Sequence, residues 1–118
     1  MITVEVYHDE NGNEPFTEWL ASIKDSRTRA RIDNRLERVR GGNFGDYQSL
    51  GGGLFELRLH FGAGYRIYYG RIGEEGVVLL TGGSKRTQVR DIKRATHDWE
   101  DYTRSKKHES TNEKNEKI

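Results

Sequence analysis

Arg58 and Arg66 each interrupt an otherwise apolar, strand-like segment of this 118-residue chain. Alternate positions of a strand share a face, so Phe55, Leu57 and Leu59 form one set and Glu56, Arg58 and His60 the other. In the next segment Tyr65, Ile67 and Tyr69 oppose Arg66 and Tyr68. The register that keeps apolar with apolar sets Arg58 opposite Arg66. Two facing guanidinium groups repel, at a cost of up to ~1 kcal/mol. Either Glu56 neutralises part of that charge, or an anionic ligand supplies the missing counter-ion. The planar arginine fork holds phosphate bidentately and stays charged. After the last apolar run comes Gly82-Gly83-Ser84-Lys85-Arg86, which ends a strand and opens a helix. Free amides at a helix start and the charge of Lys85 both favour an anion there, although the P-loop spacing is absent.

Around these residues lie the other groups able to do chemistry. His60 is a proton-transfer candidate of the type suited to acid–base work near neutrality. Asp91, early in the last helix, is a second, or else simply an acid favoured by the helix dipole. Tyr68 shares the arginine face and is expected to stack a base, which is worth ~1–3 kcal/mol. Arg86, Gln88 and Arg90 flank Lys85 as further candidate RNA contacts. His8, His97 and His108 have no ligand-like spacing, and the chain has no cysteine, which excludes disulfides and thiolate metal sites.

The elements that must position this site follow from periodicity. Ile2, Val4 and Val6 alternate with polar residues and predict a half-buried first strand. Pro15 opens a helix whose apolar stripe is Phe16, Trp19, Leu20 and Ile23. Asp25-Ser26 offers the cap of a second helix, with Ile32, Leu36 and Val39 on its buried side and Gly41-Gly42 at its end. Its other faces carry Arg27, Arg29, Arg31, Arg35, Arg38 and Arg40. A glycine-rich stretch over 41–53 leaves room for one short strand near Tyr47–Leu50. Strands at about 54–60, 64–71 and 76–82 follow, the last apolar enough over Val77–Leu80 to be covered on both faces. Val89, Ile92, Ala95 and Trp99 mark the last helix, and Trp19 and Trp99 are expected in the core.

These elements predict an α+β fold, a small antiparallel or mixed sheet of four or five strands in the order β-α-α-β-β-β-β-α, with helices packed on one side. One domain over 1–104 precedes a polar tail, 105–118, too poor in large apolar residues to offset ordering and therefore expected to be disordered. Hydrophobic residues make up only 32% of the chain, so its aromatic side chains must supply much of the burial. No apolar run reaches the ~20 residues needed to cross a bilayer, and a cytoplasmic location is expected. The net charge of +1 conceals segregation. Residues 1–23 hold Glu5, Asp9, Glu10, Glu14 and Glu18 and no Lys or Arg, whereas Lys85, Arg86, Arg90, Lys93 and Arg94 cluster around a single acid, Asp91.

The run from Arg31-Ile-Asp-Asn-Arg-Leu-Glu-Arg through Gly42-Asn-Phe-Gly-Asp, Leu50-Gly, Glu56-Leu-Arg, Gly64-Tyr-Arg-Ile-Tyr-Tyr, Leu79-Leu-Thr-Gly-Gly-Ser-Lys, Gln88, Asp91-Ile and Ala95 resembles the phage-derived, HigB-like "addiction module killer" branch of the RelE/ParE toxin superfamily. The resemblance spans about residues 2–100. It implies a type II toxin that cleaves mRNA in the ribosomal A site without metal or other cofactor, by attack of a ribose 2′-OH on the adjacent phosphate. By motif position Arg66 falls at the scissile phosphate, Arg58 beside it, and Lys85 and Arg86 on the basic pair after the last strand. The family's C-terminal tyrosine would fall near Ile92, so Asp91, Gln88 and His60 become the candidate polar substitutes. The implied partners are mRNA and the ribosome, together with a helix-turn-helix antitoxin through which alone the pair would contact DNA. A gyrase inhibitor on the same fold, or a catalytically inactive nucleic-acid-binding relative, stands as the alternative.

Overall fold

The computed structural model describes the backbone of residues 1–116 and the side chains of residues 1–107. Its elements are β1 (Thr3–Val6), α1 (Pro15–Ser22), α2 (Ser26–Arg40), β2 (Tyr47–Gly51), β3 (Leu54–Leu59), β4 (Tyr65–Ile72), β5 (Gly76–Gly83), a single 3-10 turn (Lys85–Thr87) and α3 (Gln88–Glu116). The five strands form one sheet in the order β1-β5-β4-β3-β2. β1 runs parallel to β5 and every other pairing is antiparallel, which makes the α+β fold a mixed one. Pro15 starts α1 where its missing N–H has no helical partner, and the Asp25 carboxylate caps α2 by accepting from the Arg27 amide at 3.2 Å.

Helices cover both faces of the sheet, not one. On the first face Phe16 of α1 and Ile32, Leu36 and Val39 of α2 pack on Leu57, Leu59, Ile67, Tyr69, Val77 and Leu79. On the second, Ala95 of α3, flanked by Ile92, Trp99 and Tyr102, packs on Leu54, Tyr68, Val78 and Leu80. The physical reason lies in β5, where Val77 to Leu80 are buried whichever way they point, so both faces need a cover. Trp99 seals the second face. A methyl group on Gly70 would lie 2.1 Å from its ring, and the indole N–H donates to the Gly52 carbonyl at 2.7 Å.

β4 and β5 slip by one residue where Tyr68 pairs with Thr81 and Tyr69 with Leu79, leaving Leu80 as the extra residue of a bulge. Beyond it the pairing resumes with Arg66 beside Gly83, at the end of the sheet where α3 begins.

α3 has helical backbone as far as Glu116; of the segment 105–118 expected to be a disordered tail, the side chains of 108–116 and the whole of 117–118 lie outside the described residues. No glycine or proline follows Gly83, and the Lys, Glu and Arg of this stretch favour a helix once the packed part has nucleated it. No described helix is long and apolar enough to cross a membrane.

Candidate phosphate-binding site

The β3–β4 ladder sets Arg58 directly opposite Arg66 and Glu56 opposite Tyr68, the register that side-chain parity predicts. Residues 60–64 close the hairpin, with Gly64 at a φ of 70°. This face is not an open platform, because α3 lies over most of it. What stays open is the rim where β3 ends, β4 begins and β5 turns into α3.

Arg66 lies at that rim, only 9% exposed. Its Nε is buried with no hydrogen-bond partner, and no carboxylate among the described residues pairs with it. Arg58 is different. Its Nε donates to Glu56 Oε1 at 3.0 Å and its terminal nitrogen donates to Gln48 Oε1 on β2. Glu56 has no exposed surface, and its second oxygen accepts from the Gln88 amide of α3 at 2.9 Å. A single buried carboxylate therefore fixes Arg58 and ties the middle of the sheet to the first turn of α3.

The remaining candidates divide between the rim and the scaffold. Lys85 is exposed on the 3-10 turn, its amide donating to the Ala63 carbonyl of the hairpin at 3.4 Å, and its Cβ lies 3.3 Å from where a Cβ on Gly64 would sit. Arg86 is exposed beside it. Arg90 is also exposed, with its Nε 3.7 Å from Asp91 Oδ1. His60 is 68% exposed and its Nε2 meets the Asp46 carboxylate. That contact holds the Asp46 carboxyl below its usual range.

Three expectations need correction. Tyr68 is fully buried under α3 and cannot stack a base. Burial, then the charge of Glu56, pushes its phenol far above the ordinary tyrosine range. Gln88 is spent on Glu56 and serves as a tether. Asp91 is 7% exposed and accepts from the Thr87 hydroxyl, closing the start of α3 onto β5. Gly83 makes that closure possible, since a Cβ there would lie 1.8 Å from Asp91 Oδ2.

No protein-family model matches the chain. An uncharacterized protein of Haemophilus influenzae is 46% identical to it over 80 residues, which is 68% of this chain and 81% of that protein. The chain belongs to that protein's family. In this chain the rim carries Arg58, Arg66, Lys85, Arg86 and His60, while Tyr68, Gln88 and Asp91 build the scaffold behind them. Sequence reading leaves out Gln48, Asp46, Thr87 and Arg35. Gln48 carries a signal, for the parity of β2 places it opposite Glu56. Arg35 carries none, because only the fold shows its guanidinium donating to the carbonyls of Phe44, Asp46 and Arg58, each at 2.9 Å.

Proposed function

We propose that this protein is a toxin of a type II toxin–antitoxin pair, of the HigB-like branch of the RelE/ParE superfamily, and that it cleaves mRNA on the ribosome. The observation that carries the reading is the state of Arg66, a nearly buried guanidinium with no counter-ion, facing a second arginine and beside an exposed lysine turn. A phosphate supplies what that arrangement lacks, and the charge on a phosphorane in flight supplies more of it.

In this reading the ribose 2′-OH loses its proton and attacks the adjacent phosphorus. The P–O5′ bond breaks to leave a 2′,3′-cyclic phosphate and a protonated 5′-hydroxyl on the next nucleotide, and Arg66, Arg58 and Lys85 hold the growing negative charge. Arg58 comes to the reaction already oriented by Glu56 and Gln48. His60, exposed at the rim and oriented by Asp46, is the group best placed to move a proton. Asp91, buried and engaged by Thr87, is not free to do so. The partners are mRNA and the ribosome, with a helix-turn-helix antitoxin that silences the protein, and the location is the cytoplasm.

Inducing the protein and mapping mRNA 5′ ends tests this. Codon-phased cuts that vanish with Arg66→Ala support the nuclease. Intact mRNA accompanied by DNA damage would assign the fold to gyrase inhibition, and neither effect would leave an inert relative.

A further inference from the structure

A second cationic concavity opens on the other side of the rim. Arg31, Asn34, Arg35 and Arg38 of α2 face Leu59, His60 and Phe61 across a cleft of about 200 Å³. Arg31, Arg35 and Arg38 fall on one helix stripe, where like charges are expected to be unfavourable. No carboxylate among the described residues pairs with Arg31 or Arg38, and Glu37 of α2 pairs with Arg40 at 2.6 Å. Arg35 carries its charge half-buried, fixed by three backbone carbonyls and with its Nε unpartnered. Burial and the nearby charge of Arg38 both pull its pKa down. Arg31, itself exposed, sits over the Phe61 ring with its guanidinium carbon 3.9 Å from the ring centre, a cation–π contact that holds it at the cleft. Solvated arginines on an ordinary helix face would be neither fixed nor gathered in a cleft. Arg35 also bonds the carbonyl of Arg58, so this cleft and the Arg58–Arg66 site are built on the same strand end.

We propose that the α2 cleft is a second binding site for the sugar–phosphate backbone of single-stranded RNA, so that one strand crosses the rim from Arg66 past His60 to Arg31 and Arg38. This rests on the RNA reading above and extends it from one phosphate to a path several nucleotides long. Acidic protein is the rival ligand. RNA is favoured because the guanidinium forks, the Asn34 amide and the face of Arg31 suit phosphate and base together.

The test uses the full chain and fluorescence anisotropy with a labelled 2′-O-methyl RNA of about 12 nucleotides, which cannot undergo 2′-OH attack, and one of about 4 as the short control. Arg31→Gln/Arg38→Gln should weaken the long RNA about tenfold near 0.1 M salt and lower the salt slope by roughly 1.4, at ~0.7 per phosphate contact, with the short RNA unchanged. Both positions are exposed, and Arg38→Gln alone, at about half the change in slope, provides a milder variant whose fold circular dichroism confirms. Unchanged affinity and slope in the double variant would overturn the proposal, as would displacement of the RNA by polyglutamate of equal charge. If Arg66→Ala leaves binding of both RNAs intact while the double variant weakens the long one, the α2 cleft stands and the assignment of Arg66 falls.

Discussion

Arg58 and Arg66 stand opposite each other across β3 and β4, yet only Arg58 holds a carboxylate, its Nε donating to Glu56 at 3.0 Å while Arg66 Nε has no partner. A nearly buried, unpaired guanidinium costs folding free energy that its surroundings do not return. Glu56 serves one arginine of the two, so the structural account of the pair explains Arg58 and does not explain Arg66.

Glu56 joins three elements, and its removal should be felt in all of them. Deleting one partner of a buried ion pair costs ~3–5 kcal/mol, and the partial exposure of Arg58 lowers the expectation for Glu56→Ala to about 2–3 kcal/mol. Glu56→Gln, which keeps an oxygen for one of the two donors, should lose about half as much. Urea denaturation followed by circular dichroism measures both.

Gly83 should tolerate no side chain while Asp91 is present. The 1.8 Å approach predicts that Gly83→Ala destabilises by about 2–3 kcal/mol through overpacking. Asp91→Ala should cost less by itself and should recover part of the loss in the double variant. A thermal double-mutant cycle gives the coupling, and strict additivity would mean that the two residues do not touch.

Much of this was legible in the residues, and the losses have physical causes. Strict alternation in β3 and β4 makes the Arg58–Arg66 register legible, because a one-residue slip would bury charge. The apolar run of β5 announced two covered faces, but only its consequence, α3 over the arginine side, explains why Tyr68 is inside. Parity says which face a residue takes and nothing of what covers that face. The Gln88–Glu56 contact joins residues 32 apart in sequence and has no local signature. The backbone of α3 beyond Tyr102 carries no apolar periodicity that would announce it, since a helix already nucleated by packing can extend through polar residues.

Asp98 supplies the pH dependence. It lies on α3 at 8% exposure, and burial raises its carboxyl pKa despite His97 and Arg94, with Asp101 adding to the rise. For a raised folded value, the stability contribution is fully present below the ordinary carboxylate pKa of ~4 and is lost as pH climbs through the folded one. Asp98→Asn, which cannot ionise, should match the wild type in acid and melt above it toward neutrality, the gap widening as pH rises. Melting curves at a series of pH values check this, and an advantage that shrank with rising pH would contradict it.

The central claim is that Arg66 is kept for a phosphate and not for the fold. Its most direct measurement is single-turnover cleavage of mRNA on programmed ribosomes by wild type and Arg66→Ala, with a thermal melt of both proteins. The account predicts a loss of about 10²–10³ in the cleavage rate and a melting temperature equal to or above that of the wild type. A variant that cleaves at the wild-type rate, or one that loses activity only because it unfolds, would contradict it.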